Sequence, residues 1–180
     1  FPPMPADLGQ LHPPVHPPVN VVLVEPLIPQ NTGNIGRLCV GTASILHLIE
    51  PLGFDLSEKA VRRAGLDYWS DLDLRVHGSW EVFCESLAPE SRLIGTSRHA
   101  SLTYTDMQYR AGDYLLLGKE TTGLSQHILD SLAPLVVSVP RMGPVRSHNL
   151  GNTASIVLYE ALRQITGGFP TEPAGPGARS

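Results

Sequence analysis

The chain is 180 residues long, 42% hydrophobic and only 17% charged, with 13 basic against 17 acidic side chains and a formal net charge of −4. That length favours one domain with tails, able to bury roughly 70% of its unfolded surface. The charge gives no support to a polybasic nucleic-acid binder, whose affinity comes from many phosphate contacts. The 17 Gly and 17 Pro signify disorder or turns according to where they fall.

Residues 1–18 contain seven prolines and no helical or strand period, which reads as a disordered tail. VNVVLV at 19–24 is a compact strand candidate, followed by a breaker-rich loop over 25–33. Asn34 fits a helix N-cap opening IGRLCVGTA. ILHLI at 45–49 is the second strand, and Ser57 can cap SEKAVRRAGL, with Glu58 early and Arg62 and Arg63 late, as a helix dipole prefers. A weaker strand at 72–77 precedes WEVFCESLA, which Ser79 opens as a helix. Strands at 92–97 and 113–118 each end in a small-residue loop, and 124–132 is a short helix. LVVSV at 135–139 is a buried strand stopped by Pro140, and 149–165 is the longest helix. GGFPTEPAGPGARS at 167–180 closes the chain as a second disordered tail, leaving 19–166 as the folded domain. Six strands separated by crossovers of helical length predict an α/β fold, a parallel sheet with helices on both faces.

Several function classes are absent from the motifs. No G-x-G-x-x-G follows the first strand, no GxxxxGK[ST] occurs and no G-x-S-x-G elbow is present, which disfavours nicotinamide dehydrogenases, P-loop NTPases and α/β hydrolases. Cys39 and Cys84, among apolar neighbours, suit buried thiols, and no metal-ligand spacing appears. His47 alternates with apolar residues in its strand and reads as a satisfied residue rather than a ligand. No apolar run approaches membrane-spanning length and no signal peptide is visible, so the cytoplasm is the expected setting.

Ligands of open parallel sheets bind beyond the carboxyl ends of the strands. Three loops at such ends concentrate Gly, Asn, Ser and Arg: residues 26–37, 118–123 and 140–152. With Asn34 beginning its helix, Arg37 falls in the first turn at the crevice mouth, where its planar fork suits a phosphate and a surface salt bridge is equally open. Ser147, Asn149 and Asn152 behind Arg141 and Arg146 exceed what capping one helix requires.

In this order and spacing NTGNIGR (31–37), GKETTGL (118–124) and RSHNLGN (146–152) resemble the three motifs of the SpoU branch of the SPOUT RNA methyltransferases. VVLVEP (21–26), HLIEPLGF (47–54) and RRAGLDY (62–68) look like the tRNA 2′-O-methyltransferases of the wobble cytidine or uridine. The chain departs from that subgroup at Thr122, where arginine is usual, and at Gly151, where serine is usual.

The resemblance implies a C-terminal deep trefoil knot, an obligate homodimer built on the first and last helices, and S-adenosylmethionine bound in a bent conformation with no metal. It implies cofactor contacts from Thr96, Ser97, Gly118, Lys119, Glu120, Val139, Met142, Ser147 and Asn149. Arg37 becomes the base or the organiser of phosphate and hydroxyl, facing the other subunit's cofactor. Asn31 is expected to fix that arginine, Glu120 to shape the pocket, and Ser147 and Asn149 to hold ribose or cofactor. The implied activity is methyl transfer to the ribose 2′-OH of tRNA in the anticodon stem-loop. The same reaction on ribosomal RNA, or a non-catalytic RNA- or nucleotide-binding module, are the alternatives; intact Asn31, Arg37, Glu120, Ser147 and Asn149 argue against the module.

Overall fold

A computed structural model describes residues 12–57, 59–60 and 66–169. Its sheet has seven strands: β1 (Asn20–Val24), β2 (Ile45–Ile49), β3 (Leu74–His77), β4 (Leu93–Thr96), β5 (Leu102–Thr103), β6 (Tyr114–Leu117) and β7 (Val136–Ser138). They run in the order β3-β2-β1-β6-β4-β7-β5, and every pairing is parallel. The helices among the described residues are α1 (Pro29–Thr42), α2 (Trp80–Glu85), α3 (Gln126–Leu132) and α4 (Leu150–Thr166), with a 3-10 turn at Asp67–Asp71.

The apolar runs explain the layering. Successive side chains of a strand point to opposite faces, so Val21 and Leu23 of β1 join one core with Ile35 and Cys39 of α1 and Val157, Leu158 and Ala161 of α4. Val22 and Val24 join the other with Phe83 of α2 and Ile128 and Leu132 of α3. A central strand covered twice must be apolar throughout, as β1 and β2 are. Burial drives the Cys39 thiol up to about 12, so it is an inert packing group. No helix of the described residues is long and apolar enough to cross a membrane.

The expected parallel α/β sheet is observed, with differences that have local causes. The two-residue β5 is too short for any alternation to announce it. The expected cap at Ser57 accepts from the Ala60 N–H at 3.3 Å, while the rest of its helix, with Arg62 and Arg63, falls largely outside the described residues. Helix α1 begins at Pro29, not after Asn34; proline at the first positions presets φ there. At the amino end the expected tail meets the body at residues 12–18, where Val15 packs on the core and the Pro17 ring lies 3.1 Å from where a Cβ on Gly112 would sit. At the carboxyl end Gly167, with φ +74, closes α4 as an αL cap; residues 170–180 lie outside the described residues.

His47 is buried and fully partnered. Its Nε2 lies 3.0 Å from Asn20 Oδ1 and its Nδ1 3.0 Å from His77 Nε2. The Asn20 amide nitrogen donates to the Pro18 and Gly112 carbonyls, so its Oδ1 must accept from His47 Nε2–H. That assignment leaves His47 Nδ1 to accept from His77 Nε2–H, with both rings neutral. Burial, reinforced by His77 and Arg75, lowers His47 to about 4, and burial lowers His77 as well.

A folded value below the unfolded one means that the unfolded chain takes up the proton first. The contribution of His47 is therefore complete above about pH 6.5 and is lost as pH falls towards about 4, on the order of 3 kcal/mol in all. Urea unfolding at stepped pH should show this decline, with a shallower slope in His47→Asn, which cannot titrate.

Candidate functional site

The carboxyl ends of β4, β6 and β7 open into a cleft of about 260 Å³. Thr96 and Ser97 line it from the end of β4, residues 118–124 from the loop after β6, and Val139, Arg141, Ser147 and His148 from the segment after β7. Leu124, Leu129, Val137 and Leu150 give it an apolar wall suited to a flat ring. The loop after β6 is pinched shut: Gly123 N–H donates to Lys119 O at 2.9 Å, and a Cβ on Gly118 would fall 2.0 Å from the Gly123 carbonyl carbon. Only glycine fits at 118. Thr96 is fixed by its hydroxyl, which donates to Leu116 O at 2.9 Å.

Helix α1 starts at an N-cap, Ile28, whose side chain has nothing to cap with. Glu120, carried on the loop after β6, instead fixes the approach to that helix: its carboxylate accepts from the Leu27 N–H at 2.8 Å and the Ile28 N–H at 3.0 Å. A carboxylate at a helix N-terminus is also favoured by the dipole. The same carboxylate accepts from Asn31 Nδ2 at 3.3 Å, and Asn31 Oδ1 accepts from Asn149 Nδ2 at 2.9 Å. Asn149 Oδ1 in turn caps α4, accepting from Gly151 N–H at 2.8 Å and Asn152 N–H at 3.3 Å. One chain of hydrogen bonds, through a buried asparagine, thus ties the three motif loops together.

Of the expected site residues, Thr96, Ser97, Gly118, Lys119, Glu120, Val139 and Ser147 border the cleft. Asn149 stands behind it in the hydrogen-bonded chain. Met142 does not reach the wall and is 97% exposed, because the Arg141 guanidinium folds the loop onto itself by donating to the Val145 and Arg146 carbonyls. Lys119 is committed to an ion pair with Glu25 at 2.6 Å.

Arg37 is displaced from its expected position. The earlier start of α1 puts it in the third turn, exposed, and it is not among the residues lining the cleft of its own chain. Nor does Asn31 hold it, since that amide is used by Glu120 and Asn149. Tyr68 does so instead: the Arg37 guanidinium carbon lies 5.9 Å from its ring centroid. Burial holds the Tyr68 phenol above its ordinary value against the pull of Arg37, so it remains a donor, to the Gly33 carbonyl. The departures also have places: Thr122 is exposed on the rim, and a Cβ on Gly151 would meet Asn149 Oδ1 at 3.2 Å.

Sequence reasoning did not single out Arg98 and His99, which line the cleft directly after Ser97. Their adjacency to a small-residue strand end was the signal. Among the described residues no group of three His, Cys, Asp or Glu side chains is arranged to hold a metal.

Comparison with known proteins places this architecture. The model of the SpoU rRNA Methylase family matches residues 18–159. A tRNA (cytidine(34)-2′-O)-methyltransferase of Yersinia pestis is 45% identical over 157 residues, covering 84% of this chain and 96% of its own. The enzyme of that name from Escherichia coli K12 is 44% identical over 153 residues, covering 84% and 96%. A structure described as giving insights into the 2-OH methylation of C/U34 on tRNA superposes with a TM-score of 0.78 at 42% identity, covering 83% of this chain and 97% of that one. The SpoU methyltransferase AviRb of Streptomyces viridochromogenes, in complex with AdoMet, matches with a TM-score of 0.71 at 28% identity, covering 83% of this chain and 58% of that one.

Removing the Glu120 carboxylate orphans two backbone donors and the Asn31 amide at once. Glu120→Ala should cost about 1 kcal/mol in urea unfolding, since water can reach the two exposed backbone donors, and Glu120→Gln, which keeps an acceptor, less. Gly118→Ala should open the pinched loop and abolish ligand binding in the cleft, read by calorimetry.

Proposed function

The chain belongs to the SpoU rRNA Methylase family, and from that premise we propose that it is an S-adenosylmethionine-dependent tRNA 2′-O-methyltransferase acting on the wobble cytidine or uridine. The observation that carries this reading is the joining of all three motif loops by the Glu120–Asn31–Asn149 chain at one cleft beyond the strand ends. The tRNA enzymes, at 44–45% identity, match almost end to end, whereas AviRb is 28% identical and this chain spans 58% of it. The similarity therefore favours tRNA over ribosomal RNA.

The cleft fits S-adenosylmethionine. Its apolar wall suits an adenine, its pinched loop brings backbone close at Gly118, and the hydroxyls of Thr96, Ser97 and Ser147 offer hydrogen bonds. When bound, the cofactor supplies a methyl group made electrophilic by a sulfonium. The ribose 2′-hydroxyl must give up its proton, to a substrate phosphate oxygen or to water, as its oxygen takes the methyl carbon and the methyl–sulfur bond breaks to leave a neutral thioether. Most of the catalysis is in-line positioning. An arginine remains protonated, so Arg37 orients phosphate and hydroxyl rather than accepting the proton. Lying outside its own chain's cleft, it serves the cleft of a second copy, in a homodimer built on α1 and α4, which pack side by side. Ser147, at the cleft, holds ribose or cofactor, and Asn149 behind it fixes that segment to Asn31. The deep trefoil knot that the family resemblance implies belongs to this reading, with the anticodon stem-loop of cytoplasmic tRNA as the partner.

Incubation of tRNA with the protein and S-adenosylmethionine should yield 2′-O-methylated cytidine or uridine at the wobble position, read by nucleoside mass spectrometry. Arg37→Ala should keep its affinity for S-adenosylhomocysteine in calorimetry and lose turnover by about 100-fold. Unchanged turnover on tRNA removes Arg37 from the mechanism.

A further inference from the structure

The cations at the cleft differ in how far their charge is already used. Lys119 is neutralised by Glu25 at 2.6 Å. Arg141 is turned into its own loop, donating to two carbonyls. Arg98 lines the cleft as well, and among the described residues no carboxylate lies within ion-pair distance of it. Its one side-chain hydrogen bond runs from Nε to His99 Nε2 at 2.9 Å, which leaves the N–H groups of both terminal nitrogens without partners among the described residues.

The turn that carries Arg98 is well anchored. Ser97 N–H donates to Val137 O at 2.9 Å, joining the turn to β7, and Ala100 N–H returns to Ser97 O at 3.2 Å. Ser97 Oγ accepts from the His99 N–H at 3.2 Å. His99 is thereby set beside the guanidinium, and because Arg98 Nε can only donate, His99 Nε2 must accept and its ring is neutral with the proton on Nδ1. Held through Nε, the guanidinium offers its outer fork, two donor-bearing nitrogens matched to two oxygens of one tetrahedral anion.

We propose that Arg98 grips a phosphate of the substrate RNA at the cleft mouth, next to the nucleotide being methylated, and that His99 is its positioning residue. The inference rests on the RNA methyltransferase reading above. A protein with a net charge of −4 cannot hold RNA by its general field, so affinity must come from particular unneutralised cations near the site. Arg98 meets that requirement where Lys119, paired with Glu25, does not. Arg141 also keeps its charge, but one of its terminal nitrogens is held by its own loop, whereas both terminal nitrogens of Arg98 are open among the described residues.

Steady-state kinetics on tRNA across a salt series, with S-adenosylhomocysteine calorimetry on the same preparations, test this. Arg98→Ala should raise KM for tRNA at least tenfold and reduce the slope of log affinity against log salt by about 0.7, one single-strand phosphate contact. Its kcat and S-adenosylhomocysteine affinity should stay at the wild-type values, and Arg98→Lys should recover the salt slope but only part of KM. His99→Ala should raise KM while leaving the salt slope intact, because the charge remains. Wild-type KM and slope in Arg98→Ala overturn the proposal. So does a loss of S-adenosylhomocysteine affinity, which would assign the guanidinium to the cofactor's carboxylate. If the wild-type protein neither binds S-adenosylhomocysteine nor methylates tRNA, it is the underlying function that fails.

Discussion

The structure depends on one carboxylate. Helix α1 enters the fold with no capping side chain of its own, and the two backbone donors just ahead of it, on Leu27 and Ile28, are satisfied by Glu120, 93 and 92 positions further along the chain. That carboxylate also accepts from the Asn31 amide, and Asn31 in turn accepts from Asn149, which caps α4. Asn31 is the buried member of this chain, and a buried amide stabilises only when its donor and acceptor are both paired. The requirement couples the start of α1, the loop after β6 and the start of α4 into one unit.

The sheet order makes that unit possible. From β1 the chain winds outward through β2 to β3, while β6 lies on the other side of β1, next to β4. The loops leaving β1 and β6 therefore part at a topological switch point, the place where open parallel sheets leave a crevice. Glu120 spans this division at its narrow end, and the cleft opens from the loop after β6 towards β4 and β7. Gly118 lets the backbone turn there without a side chain in the way.

Charge is distributed on the same local scale. An acidic chain keeps its site usable for an anionic substrate by neutralising some cations internally and leaving others open. Arg92 is locked to buried Asp113 at 2.7 Å, at the opposite end of the sheet, and Lys119 to Glu25. Arg37 is held by an aromatic face, which fixes its direction without cancelling its charge. Net charge describes none of this, because each pairing is a contact between residues distant in sequence.

What the sequence determined by itself was whatever depends on near neighbours. Alternation and apolar runs located six strands, and Ser79 and Asn149 were legible as caps because the donors they satisfy lie two or three residues on. The three motif loops were legible as a set through their residues and order. The tertiary structure alone decided that Asn31 serves Glu120 and Asn149, that Arg37 lies against Tyr68, and that Arg98 enters the cleft with no acid of the described residues beside it. Each of these rests on a partner brought in by folding: a carboxylate from the loop after β6, an aromatic ring from the 3-10 turn, or the lack of any acid beside a guanidinium. No window of local sequence contains that partner, so no local pattern could have assigned those roles.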